Sequence, residues 1–553
     1  MKLKIRVLLT VLVIVAVVVF FLNWLWVGKD DNYISYNDYQ SKINPDNIYL
    51  NAQQSYEEIK STGFKPRHDV DPWPYAIPVD WSADPFSDSN WKFQLHAWRG
   101  VDPIIVKYLE TRSDEYFHEA VSFARDWYRF HAINDPSDYS WYDMSAGIRA
   151  MRIAFFLDEA YAGRVDIDQT TIDMLNNLAE QHISRLMEKE YINRGNHGLF
   201  QIFGLNMLCS VVETESCNQE SSYSKKMLAE IISKAYTDQG VHKEHSPYYH
   251  DFTIRVLQEF DAEQIVGQKI SKVIRNAKNV SPWLAWPNGR YVEIGDSEGR
   301  TEAVFGDVNL TCLDNGACYA VGDFTDSGYA TIRSNPHDEI QNSMLFMTGM
   351  SYSRIHKHVD ELSFTLFEHG RQIFIDSGKY GYSNDKWRDY VLGASSHNTV
   401  SLLDVDIGRE SLSYEGSYLD SLRVSESGFK IVGKVERKKL FTQEREVIYH
   451  PGKHIKIRDT LLSDTDMTYV SSLHVSPDLE PIVRDNGFDI DLANGHVIQA
   501  RLQEEDCFVD VTRGLKEPVL GWSSVGYKEM KPTSVVRAIC SGSNRSITWD
   551  VEL

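Results

Sequence analysis

A change in the spacing of apolar residues near residue 325 constrains the fold of this chain more than any other feature. From about 90 to 325 apolar residues recur at helical spacing, whereas on 362–366 they alternate with the period of a half-buried strand. The helical stripes include Phe117, Val121, Ala124 and Tyr128, and then Ile172, Leu175, Leu178, Ala179, Ile183 and Leu186. Turn signals separate many short alternating runs, a pattern typical of an antiparallel sandwich. We therefore predict an α+β chain with a helical domain at 90–325 and an antiparallel β-sandwich at 326–553.

The N-terminus predicts one transmembrane helix. An uncharged run of 21 residues, 7–27, spans about 32 Å as a helix, which is enough for a bilayer core. Three basic residues precede it, so the positive-inside rule places the N-terminus in the cytoplasm and the body in the periplasm or at the cell surface. Residues 23–28 offer no small-residue cleavage site, which favours a signal-anchor over a cleaved signal peptide. We expect 1–29 to form a cytoplasmic stub and the transmembrane signal-anchor. We expect 30–89 to form a stalk and a segment that wraps the body.

Composition excludes one class of partner and limits another. The formal net charge of −22 argues against nucleic acid. A cleft for an acidic polysaccharide must therefore concentrate positive charge locally. The six cysteines suit an oxidising compartment. Cys209 with Cys217, and Cys312 with Cys318, lie close enough in sequence to join local loops, but spacing alone leaves the connectivity open.

Three histidines and a carboxylate are close together in the β-type region. Residues i and i+2 of a strand share a face, so His356 and His358 are expected to project together. Buried imidazoles need partners, and a metal, a substrate or a proton relay can each supply them. His358, Asp376 and His397 can provide a three-ligand zinc site from neighbouring strands, which leaves His356 free for chemistry. The simpler interpretation is that these are hydrogen-bonded structural histidines.

Two motifs in the helical region carry further polar residues. Asn196 and His197 stand at the start of a helix-like run that extends to 211, where Asn196 taken alone is most simply a helix cap. In the second motif, Ser246 and Pro247 predict the start of another helix. Tyr249 falls in the first turn of that helix, where a tyrosine packs by default. Each motif is weak by itself.

Six short motifs occur in an order that is specific as a set. They are Asn196-His197-Gly198, Glu244-x-Ser246-Pro247-x-Tyr249-His250, Ile294-Gly295-Asp296-Ser297, His356-x-His358-x-Asp360, Phe374-Ile-Asp376-Ser-Gly378 and His397-Asn398-Thr399-Val400. The ordered set, over roughly 70–550, resembles the heparinase II/III-like polysaccharide lyases, a group that includes alginate-lyase-type relatives. The resemblance implies an incomplete (α/α) toroid followed by an antiparallel β-sandwich, with the active site in the cleft between them.

The resemblance also implies a reaction, β-elimination on a uronic-acid glycan. The enzyme removes the C5 proton and expels the C4 oxygen, while hydrogen-bond donors neutralise the adjacent carboxylate. By resemblance, Asn196 and His197 are those donors, and Tyr249 and His356 are the base and the acid. Which of the two takes which proton stays open at this point.

Position in the sequence predicts substrate-binding residues, and the analogy implies a metal. Arg194, His245 and Arg354 lie near the motifs in sequence and are predicted to bind the acidic polysaccharide substrate. Zinc is implied on His358, Asp376 and His397. We expect a structural or site-ordering metal, because elimination needs no hydrolytic water. The acidic net charge makes heavily sulfated heparin a less suitable substrate than a carboxylate-only polyuronate or a mixed uronic-acid glycan.

Three other functions share some of these features. A uronyl C5-epimerase abstracts the same proton but returns one instead of expelling the C4 oxygen. A catalytically silent, membrane-tethered glycan-binding protein is a second alternative, although both proton-transfer motifs are intact. An (α/α)-toroid hydrolase is the third, and it would give saturated products. The predicted anchor places any of these activities at the cell envelope.

Overall fold

The computed structural model describes residues 39–133, 139–339, 342–412, 416–425, 428–437, 440–493 and 495–553. The predicted transmembrane run at 7–27 lies outside these residues. Within the described ranges, no helix combines the length and the apolar character needed to cross a membrane.

Helices make up most of the chain from 56 to 280. Their bounds are α1 (Tyr56–Thr62), α2 (Ser89–His96), α3 (Asp102–Thr111), α4 (Asp114–Ile133), α5 (Asp143–Tyr161), α6 (Gln169–Leu186), α7 (Asn196–Val211), α8 (Glu220–Ala235), α9 (Pro247–Glu259), α10 (Ala262–Val266) and α11 (Gln268–Val280). The two predicted apolar stripes fall on α4 and α6, where all their members are buried or packed against the core. The prediction of a helical N-terminal region is therefore confirmed.

Helix α5 lies at the centre of the helical domain. Every residue from Ser145 to Tyr161 is buried, and the helix packs against α6 and α7. A helix buried on all sides must satisfy its own charged groups. Arg152 does so by donating from Nε to Asp102 Oδ1 at 2.9 Å. Arg149 donates to the backbone oxygen of His96 at 2.6 Å.

The segment before α2 wraps the helical domain from 39 onwards. Asp158 on α5 accepts a hydrogen bond from Tyr39 Oη at 2.7 Å, and Ile48 and Trp81 are buried in the helical core. The described residues before α2 therefore pack against the helical core. Three disulfides join Cys209 to Cys217, Cys312 to Cys318 and Cys507 to Cys540.

The rest of the chain forms antiparallel sheets. A six-stranded meander runs in order through β1 (Leu310–Cys312), β2 (Cys318–Phe324), β3 (Tyr329–Ser334), β4 (Met344–Thr348), β5 (Phe364–Glu368) and β6 (Arg371–Phe374). It begins at Leu310, ahead of the predicted boundary at 325. His369 and Gly370, which join β5 to β6, have φ angles of 52° and 78°, as a two-residue hairpin turn requires.

A larger, ten-stranded sheet follows. Its strands are β7 (Val400–Leu402), β8 (Ser417–Ser425), β9 (Gly428–Arg437), β10 (Phe441–His450), β11 (His454–His474), β12 (Pro481–Arg484), β13 (Gly487–Asp491), β14 (Val497–Leu502), β15 (Phe508–Arg513) and β20 (Ser534–Glu552). The main order is β12-β13-β14-β20-β11-β10-β9-β8. Two small hairpins pair β16 (Leu515–Lys516) with β17 (Val519–Leu520), and β18 (Trp522–Gly526) with β19 (Glu529–Pro532). Helix α12 (Lys386–Leu392) lies between β6 and β7.

The six-stranded sheet is covered on both faces. Alternation along each strand decides which of the two faces a side chain lies on. Ile332 and Leu345 share one apolar core with the ten-stranded sheet. Tyr329 and Phe346 point the other way and pack with Val292 of the segment that follows the helices. The meander therefore connects the helical domain to the larger sheet, and the site lies along this connection.

Candidate active site

The start of α9 positions Tyr249. Ser246 caps the helix by accepting a hydrogen bond from the Tyr249 backbone, and Pro247 occupies the first turn. This confirms the helix start predicted from the sequence. Ser246 Oγ also lies 3.0 Å from Ser297 Oγ and donates to the backbone oxygen of Asp296 at 3.1 Å. The Gly-Asp-Ser motif thus fixes the first turn of α9.

Gly295 brings the two halves of the site together. Its φ is 56°, and an added Cβ would lie 2.7 Å from the backbone oxygens of both His245 and His356. Only glycine fits this position without displacing backbone. The backbone nitrogen of Asp296 then donates to the His356 oxygen at 2.9 Å. Gly295, in the segment that follows the helices, therefore holds the loop that carries His356.

Tyr249 and His356 form a stacked pair. Their ring centroids are 3.5 Å apart and the rings are within 8° of parallel. His356 Nδ1 donates to Glu244 Oε2 at 2.7 Å, because an ionised carboxylate can only accept. Burial alone would raise the pKa of Glu244, but His242 and His356 hold it below its usual value. The bond assigns the Nδ1 proton and leaves the His356 Nε2 lone pair available.

Tyr382 is a member of the site that the sequence interpretation missed. Its hydroxyl lies 2.6 Å from the Tyr249 hydroxyl. Burial raises the pKa of Tyr249 well above its usual value, and the bond to Tyr382 opposes that shift. The Tyr249 hydroxyl is therefore protonated at neutral pH. No local signal marked Tyr382, which is 133 residues from its partner.

Asn196 and His197 lie at the N-terminus of α7. Gly195 is the cap residue and no side chain caps the helix, so the interpretation of Asn196 as a cap is wrong. His197 Nδ1 donates to Asp143 Oδ1 at 3.0 Å, and this bond helps to hold the pKa of Asp143 below its usual value against the effect of burial. A Cβ on Gly195 would lie 3.7 Å from Glu244 Oε1, so the N-terminus of α7 faces the Tyr249–His356 pair.

The three residues predicted to bind substrate lie in different surroundings. His245 is fully buried, and its ring stacks on Tyr352 with centroids 5.5 Å apart, so the structure does not bring it to a substrate surface. Arg194 is exposed and pairs with Glu230 at 3.3 Å. Arg354 is also exposed, two residues before His356. Of the three, only Arg354 is close in sequence to a member of the stacked pair.

His358, Asp376 and His397 come together as predicted. One ligand atom from each lies within 4.8 Å of the others, and all three side chains are buried. His397 Nδ1 donates to Asp376 Oδ2 at 2.7 Å. Within the described chain, His358 Nδ1 and His397 Nε2 have no hydrogen-bond partner. Two unsatisfied buried imidazole nitrogens beside a carboxylate fit a zinc ion, whose usual ligands they are.

The strand geometry predicted for these histidines is wrong. The segment from 351 to 363 is irregular, and β5 begins only at Phe364. His356 has a φ of 57°, which no strand residue adopts. His356 and His358 therefore face different partners. His358, Asp376 and His397 likewise lie in loops outside the strands.

Asp296 links the three-residue cluster to the stacked pair. It accepts from His358 Nε2 at 3.0 Å and from both terminal nitrogens of Arg388 at 2.5 and 3.0 Å. His358 and Arg388 hold the pKa of Asp296 far below its usual value, although burial alone would raise it. The Arg388 guanidinium lies 5.3 Å from the centroid of the Tyr382 ring. The sequence interpretation assigned no role to Asp296.

Comparisons with known proteins identify the family. Residues 30–311 match the heparinase II/III N-terminus and residues 319–550 match the heparinase II/III-like C-terminal model. A heparin-sulfate lyase of Pedobacter heparinus is 21% identical over 375 residues, which are 61% of this chain and 56% of that protein. The chain thus spans little more than half the length of this curated relative.

Solved structures show the same fold. A crystal structure of heparinase III superimposes with a TM-score of 0.71 at 15% identity, covering 95% of this chain and 87% of that one. A heparan sulfate lyase from Pedobacter heparinus gives 0.63 at 14% identity, with coverages of 95% and 86%. The two family models together account for most of the chain, and it belongs to the heparinase II/III family.

Proposed function

We propose that this chain is a polysaccharide lyase that cleaves a uronic-acid glycan by β-elimination. The observation that carries the proposal is the stacked pair of Tyr249 and His356, in which Glu244 occupies one imidazole nitrogen and leaves the other available. Elimination needs a base and an acid within reach of one sugar ring. Rings 3.5 Å apart place two such groups side by side.

His356 is suited to take the C5 proton. The Glu244 carboxylate fixes Nδ1 as the protonated nitrogen and stabilises the imidazolium that forms when Nε2 accepts a proton. The raised pKa keeps the Tyr249 hydroxyl protonated, which is the form that can donate to the departing C4 oxygen. We therefore assign His356 as base and Tyr249 as acid.

Asn196 and His197 are suited to neutralise the uronate carboxylate as charge develops on it. Both are half-buried at the N-terminus of α7, where backbone N–H groups add a favourable partial positive charge. Asp143 accepts from His197 Nδ1, and in the imidazolium form of His197 the Nε2–H is the donor left for the uronate carboxylate. The role of Asn196 follows from its amide, which no capping bond occupies.

Zinc bound by His358, Asp376 and His397 has an ordering role in this proposal. A bound cation would supply the partners that His358 Nδ1 and His397 Nε2 lack and fix the loop that precedes β5. That loop carries His356. The residues of the chain themselves bind substrate and move the protons.

Loss of the metal is expected to loosen the site. His358→Ala should remove about one zinc ion per chain, measured by elemental analysis, and should lower the free energy of unfolding by on the order of 3 kcal/mol. His454→Ala, a half-exposed histidine paired with Asp550, is the matched control and should keep the metal. Zinc retained by His358→Ala at the level of the control contradicts the ligand set.

A panel of uronic-acid polysaccharides tests the lyase. The ultraviolet absorbance of the unsaturated uronate should rise with the wild-type protein on at least one glycan, and Tyr249→Phe is the negative control. Solvent deuterium at C5 without absorbing product would identify an epimerase instead. Cleavage to products with saturated non-reducing ends would identify a hydrolase. Binding of a glycan with no cleavage and no deuterium exchange at C5 would identify a silent glycan-binding protein.

We propose further that the enzyme works at the cell envelope as a single-pass membrane protein, with 7–27 as anchor and the body outside the cytoplasm. The run of uncharged residues and the basic residues before it support the anchor. Three disulfides suit an oxidising compartment. We also infer that the helices form the incomplete (α/α) toroid and that the two larger sheets form the sandwich, which their shared core supports.

A further inference from the structure

A hydrogen bond between two tyrosines joins the two halves of the protein at the site. Tyr249 lies on α9 of the helical region, whereas Tyr382 follows β6, 133 residues further along the chain. Their hydroxyl oxygens are 2.6 Å apart. A phenol has one proton to donate, so only one of the two hydroxyls donates in this bond. The direction of the bond therefore decides where the proton of the other hydroxyl points.

The role proposed for Tyr249 fixes that direction. To protonate the departing C4 oxygen, Tyr249 must point its own proton at the substrate. Its oxygen then accepts from Tyr382, which must be the donor. Burial, together with the nearby Tyr249 and Asp296, raises the pKa of Tyr382 well above its usual value. Tyr382 therefore keeps the proton that it donates.

The same bond acts again when the proton leaves Tyr249. Negative charge then develops on the Tyr249 oxygen, and a hydrogen bond donated to the charged form favours that form. The bond from Tyr382 accordingly opposes the rise that burial causes in the pKa of Tyr249. Tyr382 thus makes Tyr249 a better acid without contacting the leaving oxygen itself.

Tyr382 also connects Tyr249 to solvent. Tyr382 is 38% exposed, which is more than the half-buried Tyr249. After each turnover the Tyr249 oxygen must regain a proton, and a hydroxyl at hydrogen-bond distance offers a direct route for it. Solvent can then replace the proton that Tyr382 has passed on.

Two cations lie over the Tyr382 ring. The Arg388 guanidinium is 5.3 Å and Lys379 Nζ is 5.1 Å from the ring centroid. Each cation is itself held by a carboxylate, Arg388 by Asp296 and Lys379 by Glu298 at 2.6 Å. Arg388 partly opposes the rise in the pKa of Tyr382, because a nearby positive charge favours the phenolate. The two cations therefore hold the ring and favour a brief loss of its proton.

The turn between β18 and β19 fixes the segment that carries Tyr382. The backbone nitrogen of Lys528 donates to the Tyr380 oxygen at 2.7 Å. A Cβ on Gly381 would lie 3.5 Å from the Tyr527 ring, so the segment packs directly on this turn. The Tyr382 hydroxyl is therefore held from both sides, by the turn behind its backbone and by the cations over its ring.

We propose that Tyr382 is a positioning and proton-relay residue for the elimination. It donates to the Tyr249 oxygen, directs the Tyr249 proton at the C4 oxygen, and afterwards returns a proton from solvent to Tyr249. His356 takes the C5 proton, the electrons of the C5–H bond form the C4–C5 double bond, and the C4–O bond breaks. His356 then releases its proton to solvent, which balances the proton that enters through Tyr382. This inference rests on the proposed lyase function and adds a residue to it.

Tyr382→Phe removes the donor and keeps the ring. The substrates are polyglucuronate, polymannuronate and a desulfated glycosaminoglycan, and kcat is compared on the one that the wild-type protein cleaves fastest. We expect kcat to fall by about 10²-fold, the effect of one donor to a developing oxyanion, with KM unchanged. Tyr380→Phe, a half-buried tyrosine on the same segment, is the matched control and should keep the wild-type kcat. A Tyr382→Phe protein as fast as this control overturns the inference and leaves the lyase function standing.

A second substrate separates proton delivery from a purely structural effect. It is a synthetic uronide of the same uronic acid with 4-nitrophenol at C4, which departs as the phenolate and needs no proton from Tyr249. Wild type and Tyr382→Phe should cleave it with kcat values within about threefold of each other. An equal loss of kcat on both substrates overturns the inference. A wild-type protein that forms no unsaturated product on any of these substrates overturns the lyase function, on which the inference rests.

Discussion

Replacing Tyr249 with phenylalanine is expected to lower kcat on the uronic-acid substrate by about 10²–10⁴-fold, the range that one proton-transfer group contributes. The change removes only the hydroxyl that donates to the leaving oxygen. The ring stays, and its stacking on His356 at 3.5 Å is kept. The lost bond to Tyr382 costs about 1 kcal/mol of folding stability, too little to unfold the protein. The measurement is kcat and KM from unsaturated-uronate absorbance, with the thermal midpoint recorded alongside.

Tyr248→Phe is the matched control for that variant. Tyr248 is the preceding residue on α9, is also half-buried, and stacks on Phe252 with centroids 6.2 Å apart. Its hydroxyl has no part in the proposed proton transfers, so kcat should stay within about threefold of wild type. A Tyr249→Phe protein as active as this control would remove Tyr249 from the chemistry.

Local patterns in the sequence predicted the features that depend on neighbouring residues. The helical stripes and the start of α9 at Ser246 and Pro247 each need only a few adjacent positions. The grouping of His358, Asp376 and His397 was also predicted, although through resemblance and residue type and not through strand geometry. The predicted strand failed because the backbone at His356 is left-handed.

Partners far apart in the chain could not be predicted in this way. Glu244 and His356 are 112 residues apart, and His197 and Asp143 are 54 apart. No periodicity carries such pairings. The first arises only when the helical domain packs on the meander, and the second only when α5 packs on α7. The burial of His245 is a second example. A histidine among basic residues is indistinguishable in sequence from one that the packing turns inwards.

Asp296→Ala is expected to cost about 3–5 kcal/mol of folding stability, the usual effect of removing one partner from a buried ion pair. The change leaves Arg388 without its bidentate carboxylate and His358 Nε2 without an acceptor. Because the pKa of Asp296 is lowered in the folded protein, this contribution is fully present above about pH 4 and is lost only as pH falls through the lowered value. Denaturant unfolding at neutral pH measures the loss of folding stability in this variant.

The matched control is Asp478→Ala, which removes an exposed carboxylate paired with Lys531 at 2.8 Å. Exposed pairs contribute about 0–1 kcal/mol, so the two variants should differ by several-fold in their effect on unfolding. Asp296→Ala should also reduce zinc content, because His358 loses the bond that orients its ring. A variant as stable as the control would show that Arg388 and His358 find other partners. The Gly-Asp motif would then serve only to position α9.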